Sequence, residues 1–159
     1  MSHTTTVKKV AIRDINALRT AVATLKAKGV NCDLVENQTP RMYYERQERE
    51  IGKCDYVLKL HNSSYDVGFV KDEDGSYHTV FDNWDNQISK EIGARYDHAN
   101  DQEKGLTKSE CEIGKLMKEY SKEASINAFE TAGYTIDSVI EEEEQYVITA
   151  NVGEQGDLY

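Results

Sequence analysis

Residues 54 to 81 constrain the fold more than any other stretch. In "CDYVLKL", Cys54, Tyr56, Leu58 and Leu60 fall on alternate positions. "YDVGFVKDEDGSYHTVF" repeats that period of two on either side of a "KDEDGS" break. Side chains of a strand point alternately to its two faces, so a half-buried strand reads as apolar every second residue. "HNSS" and "DEDG" have turn composition, and Asp-Gly supplies the positive φ of a tight connection. Three such runs with short links predict a three-stranded antiparallel meander. An EF-hand reading of "DEDG" fails on register, because a calcium loop needs a glycine at its sixth position and a glutamate at its twelfth.

Two helices flank this meander. Asp14 is a good N-cap, and Ile15, Leu18, Ala21, Val22 and Leu25 then share one face, with Gly29 as the stop. Later, Ile113, Leu116, Met117, Tyr120, Ala124 and Ala128 form a second helical stripe that ends at Gly133. Thr107 with Glu110, or Ser109 with Glu112, has the spacing of a capping box. A first strand is expected over residues 4–12 and a second at "VNCDLVE", with two more at "YTIDSVIEE" and "EQYVITANV" around an acidic turn. "TPRMYYERQERE" fits a loop or a short helix, and "NQISKEIGARY" allows another short helix. The order β-α-β, three-strand meander, α-β-β predicts an α+β fold, an antiparallel sheet with the two main helices on one face. Residues 1–152 are expected to form a single domain, and 153–159 a flexible tail.

Charge limits the choice of partner. The chain has 29 acidic and 19 basic side chains, a net charge of −10. Residues 1–53 carry +4 and the remainder −14. Phosphate backbones are held by lysine and arginine, so direct nucleic-acid binding is not expected. Three widely spaced cysteines without a CxxC pattern read as free thiols in a reducing compartment. "MSHTTTVKKV" is too polar for a signal peptide, and no apolar run is long enough to cross a membrane, so the expected location is cytoplasmic.

No nucleophile elbow, phosphate loop or dinucleotide fingerprint is present, and the four histidines form no HxxxH or HxH pair. Neither a catalytic centre, a metal nor a cofactor is expected. What the sequence offers is an interface composition. Arg41, Tyr43, Tyr44 and Arg46 interleave arginine and tyrosine, the residue types enriched where proteins dock. Tyr65, Tyr77 and Trp84, the last being the only tryptophan, are further candidate anchors. The same residues also fit an ordinary amphipathic edge and sheet packing. The leading expectation is a non-enzymatic protein that binds a protein partner. Two alternatives are an acidic mimic of nucleic acid that occupies a basic groove and, using Arg41 and Arg46, a sequesterer of a small anionic ligand such as a nucleotide. An exposed meander edge could also pair in a homodimer.

The segments "MSHTTTVKKVAIRDINALRTAVATL", "YDVGFVKDEDGSYHTVFDNW" and "KLMKEYSKEASINAFETAGY" together resemble an uncharacterised family, the hypothetical chloroplast reading frame thirty-five family of plastids, cyanobacteria and tailed bacteriophages. The resemblance runs from Met1 to about Asn151, and "TPRMYYERQ" and "KCDYVLKL" look closest to the bacteriophage-type members. It implies a small α+β fold and a phage-encoded accessory protein in the bacterial cytoplasm. It brings no functional residues with it.

Overall fold

The computed structural model describes residues 11–94 and 110–152, and the backbone alone for 2–7 and 108–109. The expected element order is present: β1 (Ser2–Val7), α1 (Ile15–Ala27), β2 (Cys32–Gln38), α2 (Glu45–Ile51), β3 (Cys54–Leu60), β4 (Val67–Lys71), β5 (Tyr77–Val80), α3 (Ser89–Ile92), α4 (Lys108–Glu112), α5 (Gly114–Thr131), β6 (Thr135–Glu141) and β7 (Tyr146–Asn151). This is an α+β fold. The strands divide between two antiparallel sheets, one ordered β2-β3-β4-β5 and the other β1-β7-β6. The meander is therefore extended by β2, and the N-terminal strand pairs with β7 rather than with the meander. Of the first strand expected over residues 4–12, residues 4–7 are strand, 8–10 lie outside the described residues, and Ala11 is not in a strand. Ile12 makes an isolated bridge to Tyr77, whose N–H donates to the Ile12 carbonyl at 2.7 Å. Residues 95–107, which include Thr107 of the expected cap, and the tail beyond residue 152 lie outside the described residues.

Helix α1 forms as its letters require. The Asp14 carboxylate accepts the Ala17 N–H at 3.0 Å, and Gly29 at φ +100° ends the helix. Ala17, Leu18, Ala21, Val22 and Leu25 are all buried. They meet Leu58, Leu60, Val67 and Phe69 of the meander and Leu116 and Tyr120 of α5 in one core. The late helix is broken in two at Ile113, whose φ of −118° is not helical. The break accompanies a close approach: Ala94 N–H donates to the Cys111 carbonyl, and a Cβ on Gly114 would stand 2.4 Å from that of Ala94. The β4–β5 connection is the expected turn, with Gly75 at φ +86° and Asp74 accepting both the N–H and the hydroxyl of Ser76. Cys32, Cys54 and Cys111 are buried and form no disulfide.

Gly68 in β4 permits a second close approach, which bears on the functional site. A Cβ there would lie 2.8 Å from Val80, 2.9 Å from the Cys54 sulfur and 2.9 Å from the Pro40 ring. Pro40 leads into the tyrosine-rich segment, so the missing side chain lets that segment sit down on the sheet. Gly68→Ala is expected to cost about 1–3 kcal/mol through overpacking. Urea denaturation would show it as a lower midpoint with an unchanged slope.

Candidate functional site: an exposed aromatic patch

Residues 41 to 44 are irregular backbone between β2 and α2, and every one of their N–H groups is held by a side-chain oxygen. Arg41 N–H donates to Asp66 Oδ2 at 2.9 Å, Met42 N–H to Glu48 Oε2 at 3.2 Å, Tyr43 N–H to Asp82 Oδ2 at 2.8 Å and Tyr44 N–H to Gln47 Oε1 at 3.3 Å. A segment without secondary structure must find such partners or leave donors unsatisfied. Here four side chains from α2, the β3–β4 loop and the β5–α3 loop supply them. The Gln47 side chain, at the third position of α2, thereby satisfies the N–H of the residue that precedes the helix.

Pinning this segment fixes the rings it carries. Asp66 follows Tyr65 in sequence, and Tyr43 comes to 6.3 Å from the Tyr65 ring. Asp82 stands two residues before Trp84, and Tyr43 lies 5.1 Å from the Trp84 ring. Tyr43 and Tyr44 meet edge to face at 4.7 Å. These separations are those of favourable aromatic pairs. Yet the cluster is not core, for Tyr43 is 45% exposed, Tyr44 58% and Trp84 62%.

The turn that displays Trp84 is strained. Asp85 and Asn86 both have positive φ, 55° and 54°, which is uncommon for residues other than glycine and least costly for Asp and Asn. Asn83 braces the turn by accepting the Ile88 and Ser89 N–H groups at 3.0 Å each, while Ile88 and Ile92 are fully buried beneath. Strain of this kind persists only where the surroundings hold it, and it gathers at functional surfaces.

Comparison with protein-family models, curated proteins and solved structures returns no match.

Of the seven residues singled out in the sequence, Tyr43, Tyr44 and Trp84 come together as one exposed patch. The other four have different places. Tyr65 is 8% exposed and forms the floor under Tyr43. Tyr77 sits on β5 against Tyr56, 5.8 Å away, and belongs to the core margin. Arg46 is exposed on α2, 3.8 Å from Glu50. Arg41 is committed to the fold: its Nε and Nη2 donate to the two oxygens of fully buried Asp66 at 3.0 and 2.7 Å, and Nη2 also reaches the Leu60 carbonyl. Burial drives the Asp66 carboxyl upward, but the bonds from Arg41 and the nearby charges of Arg41 and Lys59 outweigh it and leave the group below its usual range. An anion held between Arg41 and Arg46 therefore finds the first guanidinium already spent.

Two other polar groupings proved structural. His61 and His78 each face a carboxylate, Asp33 at 2.8 Å and Asp72 at 2.7 Å. Among the described residues no group of three or more His, Cys, Asp or Glu side chains stands where it could hold a metal ion. Lys28, Lys118 and Lys122 surround the Tyr146 ring at 5.8, 5.0 and 4.6 Å. Their charges are matched by buried Glu119 and by Glu141, whose carboxyl Lys28 and Lys118 bring down to about 2. The Tyr146 hydroxyl donates to Glu119 at 2.8 Å, and burial together with that carboxylate raises its pKa. This network fastens the β6–β7 hairpin to α1 and α5. No described helix is long and apolar enough to cross a membrane.

Proposed function

We propose that this protein is a non-enzymatic binding module that docks on a protein partner through Tyr43, Tyr44 and Trp84. One observation carries the reading: Tyr43 holds contact with both Tyr44 and Trp84, all three rings stand outside the core, and the backbone carrying the two tyrosines is pinned at four successive N–H groups. Rigid exposed aromatics lose little conformational freedom on binding and are the side chains that dominate interface energetics. The likeness of the "TPRMYYERQ" and "KCDYVLKL" segments to bacteriophage-type sequences supports a phage-encoded accessory role in the bacterial cytoplasm, so a bacterial lysate is where the partner is to be sought. Mimicry of nucleic acid has less support. Asp33, Glu36, Asp74 and Glu141 each pair with a lysine or arginine, which breaks up the negative array such a mimic needs.

Tyr44→Ala and Trp84→Ala remove exposed rings, so each is expected to leave stability within about 0.5 kcal/mol. Each is expected to weaken the partner complex by about 2 kcal/mol, roughly thirtyfold. Affinity capture followed by calorimetry on the captured partner checks both numbers. Undiminished binding by the double variant would remove the patch from the account.

A further inference from the structure

Beside the patch lies a cleft of 440 Å³ between α2, β5 and α4. Its lining combines apolar Met42, Ile51, Val80 and Ile113 with the acidic residues Asp82, Glu110 and Glu112, Asp82 also accepting the Tyr43 N–H. Among the described residues lining it there is no lysine or arginine. The cleft and the patch share two chain segments: Met42 lines the cleft while Tyr43 joins the patch, and Asp82 lines it two residues before Trp84. Asp85, on the far side of Trp84, adds another carboxylate, with Lys90 at 3.8 Å as its neighbour.

We infer that this cleft accepts an arginine side chain from a basic segment of the partner, while the neighbouring part of that segment lies on Tyr43, Tyr44 and Trp84. The inference rests on the patch being the docking surface and specifies the chemistry of what docks. Arginine matches each part of the surface. Its methylene stem covers apolar side chains, its planar fork pairs with carboxylates, and its guanidinium stacks on exposed rings. Other occupants fit less well. An anionic ligand would face three carboxylates. A nucleic-acid base could stack on Trp84, but its phosphates would then meet Asp82 and Asp85 on a chain of net charge −10. A wholly apolar peptide would strip water from the lining carboxylates without replacing it.

The probe is a capped heptapeptide of alternating glycine and arginine, with a twin in which neutral citrulline replaces every arginine. Each is titrated into the full chain by NMR, following the Trp84 indole N–H and the methyl groups of Ile51 and Ile113. The arginine peptide is expected to shift all three sets of signals, and the citrulline twin none. Glu112→Lys is expected to weaken the arginine peptide about threefold or more. Tyr44→Ala, which leaves net charge unchanged, is expected to weaken it as well. That result separates docking from general attraction to an acidic protein. Equal binding of the twin, or arginine-induced shifts that spare Trp84 and Ile113, overturns the inference, as does indifference to either substitution. If partner capture depends on Tyr44 and Trp84 but the arginine peptide moves none of these signals, the arginine assignment falls and the patch stands. If capture is indifferent to the patch, both fall.

Discussion

Arg41→Ala is expected to cost the folded state about 3–5 kcal/mol, although the side chain is 41% exposed and sits in what reads as a surface loop. The penalty arises on its partner. Asp66 has no solvent exposure, and its carboxylate is held by the Arg41 guanidinium and backbone N–H, by Lys59 at 3.3 Å and by the Leu60 N–H at 3.4 Å. Without the guanidinium the buried charge loses the fork across both oxygens and keeps the backbone N–H of residue 41, Lys59 and the Leu60 N–H. Arg41→Lys would retain the charge but not the fork that spans both oxygens, so it should recover only part of the loss.

The pH dependence follows from the same pair. The folded pKa of Asp66 lies below its unfolded value, so its contribution is complete above about pH 4 and is lost as pH falls through the folded pKa. Glu141, at about 2, works in the same direction. Melting temperature measured from neutral pH downward should hold to about pH 4 and then fall. In Arg41→Ala the fall should be shallower, because burial then acts on Asp66 with less to oppose it and its folded pKa no longer lies as far below the unfolded value. An identical acid profile in wild type and variant would contradict the role given to this pair.

Tyr120→Ala is the second large loss expected, again about 3–5 kcal/mol. The ring is 1% exposed, among the largest fully buried side chains, and lies in the core shared by α1, α5 and the meander. Its hydroxyl accepts the backbone N–H of Arg13 at 2.8 Å and of Asp14 at 3.0 Å, and donates to the Ala11 carbonyl at 3.3 Å. Asp14 caps α1, and its other oxygen accepts from Asn127 of α5 at 3.0 Å. One side chain of α5 thus fills the core and also holds the start of α1, across more than a hundred residues of chain. Tyr120→Phe keeps the ring and orphans the two donors, for an expected cost of about 1–3 kcal/mol. Urea midpoints for the pair of variants separate packing from hydrogen bonding. Equal stability of Tyr120→Phe and wild type would show the hydroxyl to be idle.

What periodicity could disclose, it did. The alternation at Cys54–Leu60 and the stripe at Leu18–Leu25 report a local period set against a buried face, and both elements formed where those letters place them. The break at Ile113 left no such mark. It comes from Ala94 lying against Gly114, a tertiary contact between segments that no local rule connects. The same holds at the site. Tyr43, Tyr44 and Trp84 were visible as interface residue types, but their meeting depends on Asp66 and Asp82, two carboxylates among many in an acidic chain. Nothing in their spacing distinguishes them from solvated surface. Arg41 shows the converse, since a residue type suited to docking was recruited as the counter-ion of a buried carboxylate. Tyr65 and Tyr77 belong to strand-bordering patterns, and their burial follows the sheet rather than their aromatic chemistry.

Trp84 is the chain's only tryptophan and stands 62% exposed within the patch, so its fluorescence reports directly on whether that surface is occupied. Titrating the captured partner, with its own tryptophans replaced by phenylalanine, should move the Trp84 emission to shorter wavelength and shield it from iodide quenching, with a midpoint equal to the binding constant. A complex that forms with this emission and its quenching unchanged would place the docking surface elsewhere on the molecule.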